Sequence, residues 1–157
     1  MQPFQHSESI IVDATAEQLY DLVTDIGRTG EWSPICRECW WRDESGAVAG
    51  AWFFGRNEAD GQEWQTDSQV AVADRPREFA WLVGGKFARW GYRFEPLPDG
   101  RTRLIEDWQF LPAGEAMFRE KYGAAADARM QLRRRQAISG IPATLAALKR
   151  IAESERP

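Results

Sequence analysis

The chain of 157 residues is 43% hydrophobic and 28% charged, which are ordinary values for a globular protein and exclude intrinsic disorder. Its 20 basic and 24 acidic side chains give a net charge of −4, which argues against a general binder of nucleic acid or of anionic membranes. The length predicts a single domain over residues 1–157, and no apolar run approaches the roughly 20 residues that span a bilayer.

The first quarter of the chain predicts one strand and two short helices. Residues 4–12 end in a β-branched run, which is typical of a strand. Thr15 and Gln18 have the spacing of a capping box, in which each side chain accepts a hydrogen bond from the other residue's backbone amide. Apolar residues recur behind this box at helical spacing, so we predict a helix over 16–26 and a second small helix or turn within 28–34.

Residues 36–111 carry the pattern of a six-stranded antiparallel meander. Aromatic and β-branched runs of strand length alternate there with turn signals such as Asp60-Gly61 and Gly84-Gly85. Two runs alternate apolar with polar residues, which predicts a sheet with one buried face. The inward side chains predicted from these two runs are Trp64, Thr66, Ser68, Val70, Val72, Ala88, Trp90, Tyr92 and Phe94.

The last third of the chain predicts a long helix. Residues 114–156 contain no strand pattern, and apolar side chains recur there at intervals of three and four residues. The predicted apolar stripe consists of Ile138, Ile141, Leu145, Leu148 and Ala152. Since Gly140 and Pro142 lie within this stretch, we expect a kink or a fresh helix start there. An apolar helix of this kind is suited to cover the buried face of the sheet.

Several short segments between residues 7 and 111 match the motifs of one known superfamily. They are Val12-Asp13-Ala14, Thr24-Asp25-Ile26, Glu31-Trp32-Ser33-Pro34, Phe53-Phe54-Gly55-Arg56-Asn57, Arg77-Glu78-Phe79-Ala80-Trp81, Ala88-Arg89-Trp90 and Gly100-Arg101-Thr102-Arg103, together with Cys36, Trp41, Glu106 and Trp108. Through them the chain resembles the START and birch-pollen-allergen (SRPBCC) superfamily, and most closely its polyketide cyclase/dehydrase-and-lipid-transport branch. The resemblance implies an α+β helix-grip fold. In this fold a seven-stranded curved antiparallel sheet wraps around a long C-terminal helix, and two short helices lie between strands 1 and 2.

The resemblance also implies a deep cavity between the concave face of the sheet and the C-terminal helix. Such a cavity would hold a small hydrophobic or amphipathic ligand, for instance a polyketide, a sterol or a fatty-acyl molecule. The predicted lining residues are Trp32, Trp41, Phe53, Asn57, Trp64, Thr66, Ser68, Trp81, Trp90, Trp108 and Phe110. The alternative is that these aromatic side chains simply fill the core, because stripes of aromatic residues usually only pack.

Glu106 is the most informative polar residue of the sequence. By strand parity it lies between Leu104 and Trp108 on the inward face, where a carboxylate is costly unless it is paired. Glu106 and Tyr92 are therefore the candidate proton-transfer groups. Two structural alternatives remain open: a bulge that exposes Glu106, or an internal ion pair between Glu106 and an arginine of the last helix, such as Arg129 or Arg133.

The cysteines and the histidine give little support to other chemistries. Residues three apart on a regular strand point to opposite faces, so we interpret Cys36 and Cys39 as separate reduced thiols, which favours a cytoplasmic location. His6 is expected on the surface. We expect no metal and no cofactor. Phe118 and Tyr122, one helical turn apart, are suited either to a lid over the cavity or to ordinary packing.

Three function hypotheses remain. The first is a carrier or binding protein for a small hydrophobic ligand. The second is a cyclase/dehydratase-like enzyme that uses Glu106 or Tyr92. The third is a protein-interaction or stress-related module, which would present Trp40 and Trp52 on an outer apolar patch. A monomer and a homodimer are both compatible with the sequence, and neither nucleic acid nor an integral membrane association is expected.

Overall fold

Seven antiparallel strands form one curved sheet in a computed structural model, which describes residues 4–156. The strands are β1 (Gln5–Val12), β2 (Cys36–Trp41), β3 (Trp52–Ala59), β4 (Gln62–Asp74), β5 (Glu78–Val83), β6 (Ala88–Pro96) and β7 (Thr102–Phe110). Their order across the sheet is β1-β7-β6-β5-β4-β3-β2, so β1 and β2 are the edge strands. The predicted helix-grip architecture is confirmed.

The helices are α1 (Ala16–Thr24), α2 (Pro112–Tyr122) and α3 (Ala126–Ser154), with a 3-10 helix after α1 (Ile26–Glu31) and another between α2 and α3 (Gly123–Ala125). The capping box forms as predicted, because Thr15 Oγ1 accepts from the Gln18 amide at 3.1 Å and Gln18 Oε1 accepts from the Thr15 amide at 2.9 Å. Helix α1 ends two residues earlier than predicted, because the backbone tightens into the 3-10 helix. No helix among the described residues is long and apolar enough to cross a bilayer.

Helix α3 runs through Pro142 without the predicted fresh start. Proline removes the hydrogen bond to the carbonyl four residues earlier, which here belongs to Ile138. Pro142 and Ile138 are both exposed, so water can satisfy that carbonyl. Ile138 was predicted on the apolar stripe, but it is 40% exposed. The buried stripe consists of Met130, Ala137, Ile141, Leu145, Leu148 and Ala152.

The concave face of the sheet is covered by α1 at one end and by α3 along β1 and β7. Tyr20 of α1 packs edge-on against Phe79 and Phe94. At the β1 side, Lys149 Nζ donates to the Ile11 carbonyl at 2.8 Å, and Leu148 is fully buried. The core therefore lies between this face and the two helices.

Two irregularities change which side chains reach this face. The ladder between β4 and β5 pairs Val70 with Trp81 and then Val72 with Ala80, so β4 carries an extra residue, Ala71. Val72 was predicted to point inward and instead shares the outer face with Ala80, since one extra residue reverses the alternation. A similar shift occurs in β2 after Cys36.

Burial predicts a large stability difference between two aliphatic positions of α3. Leu148→Ala should lower the free energy of unfolding by about 2–5 kcal/mol, because it opens a cavity at a fully buried position. Ile138→Ala, its control on the exposed face, should change that free energy by less than about 0.5 kcal/mol. Urea denaturation measures both, and equal losses for the two variants would contradict this packing.

Candidate functional site

A first chain of aromatic rings crosses the concave face from β2 to β6. Trp41 packs against Phe53 with ring centroids 5.6 Å apart, and Phe53 contacts Trp81 at 5.9 Å. Trp81 in turn lies 5.9 Å from Tyr92. Four predicted site residues from four strands are thus joined by ring contacts.

A second chain runs along the β6 and β7 side towards α2. Trp90 and Trp108 are paired across β6 and β7 with centroids 6.3 Å apart, and Trp108 contacts Phe110 at 5.6 Å. Phe110 packs edge-on against Phe118 of α2, which contacts Tyr122. Helix α2 therefore lies over this end of the face, with the two aromatic residues that the sequence suggested for a lid or for packing.

Burial along the concave face is uneven. Phe79 on β5 is 1% exposed and Phe94 on β6 is 2% exposed, both beneath α1. Trp81 and Trp90, two and four residues away on the same strands and the same face, are only half-buried. Because these tryptophans lie on inner strands of the sheet, part of the concave face stays accessible there.

Glu106 lies beside this region and is 4% exposed. It is directly opposite Tyr92 in the β6–β7 ladder, and the Tyr92 hydroxyl and the Glu106 carboxyl act on each other's ionisation. The Trp32 side chain interacts with the same hydroxyl. Glu106 Oε1 is buried without a hydrogen-bond partner in the described structure.

Burial raises the pKa of Glu106 well above its usual range, against the opposing effect of the Tyr92 hydroxyl. Burial also raises the pKa of Tyr92, and the neighbouring Glu106 raises it further. Burial thus favours the neutral, protonated form of the Glu106 carboxyl over the carboxylate. A protonated carboxyl beside a phenol hydroxyl can donate a proton to, or hydrogen-bond, a polar group of a bound molecule.

Neither structural alternative for Glu106 occurs. The β6–β7 ladder is unbroken from Ala88 to Pro96, so no bulge turns Glu106 outward. Its neighbour Asp107 lies on the outer face, where it accepts from Arg89 at 2.8 Å. Arg129 and Arg133 stack over aromatic rings, those of Tyr122 and Trp64, rather than pairing with Glu106.

The polar candidates on β3 and β4 form a second cluster. Asn57 Nδ2 lies within hydrogen-bond distance of the Gly55 and Trp64 carbonyls and donates to Thr66 Oγ1 at 3.1 Å. Its amide hydrogens are thus occupied within the sheet. Ser68 is 2% exposed on the same face. The Arg133 guanidinium lies 4.2 Å above the Trp64 ring, at the rim of this cluster.

Two polar residues of β1, His6 and Glu8, lie on the concave face and were not predicted there from the sequence. His6 was expected on the surface, but it is half-buried opposite Trp108 and lies 2.6 Å from Glu8. Glu8 is directly opposite Glu106 on the edge strand. Val12, the last residue of β1, points inward, so the two-residue alternation along the strand could have located His6 and Glu8 on the same face.

The cysteines contradict the sequence interpretation. The register shift after Cys36 brings Cys36 and Cys39 to the same face of β2, with their Sγ atoms 3.3 Å apart. Both are free thiols. The regular two-residue alternation on which the prediction rested does not hold across the bulge.

The outer face of β2 and β3 carries an aromatic cluster. Trp40 is 39% exposed and contacts Phe54, and the Arg42 guanidinium lies over the rings of Trp52 and Phe54. Trp40 and Trp52 thus lie outward, as their parity predicted. They are separated from the concave face by the sheet itself.

An open pocket of about 300 Å³ lies at one rim of the sheet and contains none of the predicted site residues. It is lined by Pro34, Ile35, Arg37, Glu58, Ala59, Asp60, Gln136, Ser139 and Gly140. Across residues 4–156, no three His, Cys, Asp or Glu side chains are grouped so that they could hold a metal ion.

Known structures share this arrangement of elements. A START superfamily protein from Mycobacterium smegmatis superposes with a TM-score of 0.70 at 19% identity, over 97% of this chain and 99% of that chain. The Zhui aromatase/cyclase from Streptomyces sp. R1128 superposes with a TM-score of 0.73 at 17% identity, over 95% and 93% of the two chains. At these identities the likeness concerns the fold alone. Comparison with the curated proteins found no match.

Two comparisons reach the level of the family. The family model described as polyketide cyclase / dehydrase and lipid transport matches residues 3–152. A polyketide-cyclase-like protein from Corynebacterium glutamicum shares 44% identity with a TM-score of 0.72, covering 98% of this chain and 94% of that chain. This chain therefore belongs to the polyketide cyclase/dehydrase and lipid transport family.

Proposed function

We propose that this protein binds a small hydrophobic or amphipathic ligand between the concave face of the sheet and helices α2 and α3. The observation that carries the proposal is the incomplete burial of Trp81 and Trp90 on inner strands of that face. Indole rings offer a large apolar surface and one donor, which suits contact with rings and acyl chains. Family membership supports the same class of ligand.

The polar groups around the aromatic chains suit a ligand with one polar end. The Asn57 oxygen and the buried Glu106 carboxyl offer hydrogen bonds on two sides of the apolar surface. Arg133 contributes a positive charge above Trp64, and its guanidinium has no ion pair within residues 4–156. Ligand sites are commonly apolar with a few placed polar groups of this kind.

Binding of an environment-sensitive dye tests the proposal. Anilinonaphthalenesulfonate, which has an apolar ring system and an anionic end, should bind with a large rise in fluorescence. Trp90→Ala should weaken its affinity about tenfold, which corresponds to the loss of about 1.4 kcal/mol of apolar contact. A fluorescence titration measures the dissociation constant of each variant.

Trp40→Ala is the matched control, since it removes the same side chain from the opposite face of the sheet. Its affinity for the dye should equal that of the wild type. A thermal melt of both variants separates lost affinity from lost folding. If a folded Trp90→Ala protein binds the dye as tightly as the wild type, the ligand does not occupy the concave face.

A cyclase/dehydratase-like activity is the second candidate, and the unpaired Glu106 Oε1 favours it. Cyclisation and dehydration of a poly-β-ketone chain both require proton transfers to or from oxygen and carbon. A protonated Glu106 beside Tyr92 would supply a general acid in a desolvated site. If the protein has this activity, Glu106→Gln should stop turnover of a poly-β-ketone thioester, while the variant keeps its affinity for the dye.

The raised pKa of Glu106 also predicts a pH-dependent stability difference. The folded state keeps a proton that the unfolded chain releases above about pH 4.5, so wild-type stability falls relative to Glu106→Gln as the pH rises through that range. This pH-dependent part of the difference grows by at most about 1.4 kcal/mol per pH unit, and below about pH 4.5 the difference no longer changes with pH.

Urea denaturation at about pH 5 and about pH 8 measures this difference. Glu8→Gln is the control, because Glu8 lies directly opposite on β1 with a side chain that is 38% exposed. A stability difference between wild type and Glu106→Gln that stays constant with pH would show that Glu106 ionises normally in the folded protein.

A further inference from the structure

The two cysteines of the chain lie together on one face of an edge strand. In the β2–β3 ladder, Cys36 is paired with Asn57, and after one extra residue Cys39 is paired with Gly55. The extra residue, Arg37, turns both thiols to the concave side and brings their Sγ atoms to 3.3 Å. A disulfide requires about 2.05 Å, so the two sulfur atoms must move closer together before a bond forms.

Gly55 lies beside both thiols. A Cβ atom at that position would lie 3.5 Å from the Cys36 sulfur and 3.6 Å from the Cys39 sulfur, which are ordinary contacts, and a tight 3.0 Å from Thr66 Oγ1. The two sulfurs therefore border the Asn57 and Thr66 cluster.

The two thiols are not equivalent. Cys36 is half-buried, whereas Cys39 is 8% exposed. The hydrogen bond from Cys39 lowers the pKa of the Cys36 thiol, and the same interaction together with burial raises the pKa of Cys39. Cys36 is thus the more accessible and the more readily ionised sulfur, which are the properties of an attacking thiol.

We propose that Cys36 and Cys39 form a redox-active pair that a hydroperoxide converts into an intramolecular disulfide. The Cys36 thiolate attacks the peroxide, the O–O bond breaks, and the products are a sulfenic acid on Cys36 and one water or alcohol. The Cys39 thiol then attacks the Cys36 sulfur, the S–O bond breaks and water leaves. Two thiols are oxidised by two electrons, and one peroxide is reduced.

The test of this pair does not depend on the proposed function, because it requires neither the hydrophobic ligand nor Glu106. The purified, reduced protein is treated with hydrogen peroxide, and its intact mass is measured after denaturation in acid. The expected product is a monomer lighter by about 2 Da, which dithiothreitol restores. Since the chain holds two cysteines, this mass loss identifies the bond without further mapping.

Single substitutions test the roles of the two sulfurs. In the Cys39→Ser variant, oxidation should stop at the sulfenic acid of Cys36, which dimedone traps as a stable adduct. Cys36→Ser, the matched control, should react with peroxide at least about tenfold more slowly, because the remaining thiol is buried and resists ionisation. Trapping at Cys39 in preference to Cys36 would overturn the assignment.

The wild-type experiment stands even if a variant fails to fold. A treated protein that keeps two free thiols would contradict the proposal. A treated protein that forms only disulfide-linked dimers or only sulfinic acids would also contradict the proposal. Reversible formation of the monomeric disulfide supports it.

Discussion

The structure depends on the burial of the aromatic side chains that strands β2 to β7 present on one face of the sheet. Burial of this surface is the main favourable contribution to folding, and each large ring contributes on the order of 2–3 kcal/mol. Helix α1 seals the face around Phe79 and Phe94, and α3 seals it along β1 and β7. Towards Trp81 and Trp90 the cover is incomplete, and part of this apolar surface stays accessible.

The polar residues on this face acquire their properties from that burial. In water, Glu106 would be an ordinary carboxylate, whereas burial on this face raises the pKa of Glu106 and so favours its neutral form. Asn57 on β3 donates a hydrogen bond to Thr66 on β4, next to the thiols of β2. Within the described residues, the apolar surface is therefore bordered by groups that donate, accept or react.

Regular periodicity in the sequence predicted much of the fold and of the candidate site. Alternation along β6 and β7 located Tyr92, Trp90, Glu106 and Trp108 on the correct face, because the ladder between these strands has no irregularity. Where a bulge adds one residue, the same reasoning failed, as it did for Val72 and for the cysteines. A bulge depends on how neighbouring strands fit together, and a single strand's pattern does not encode it. The continuity of α3 through Pro142 depends likewise on which side of the helix faces water.

The most direct test of a ligand on the concave face is an NMR titration that follows the indole N–H resonances of the eight tryptophans. Addition of a saturated fatty acid should shift the resonances of Trp81 and Trp90, which are only half-buried on the concave face. The resonance of Trp40, on the outer face, should stay in place. Shifts confined to Trp40 and Trp52 would move the interaction to the outer surface and contradict the account.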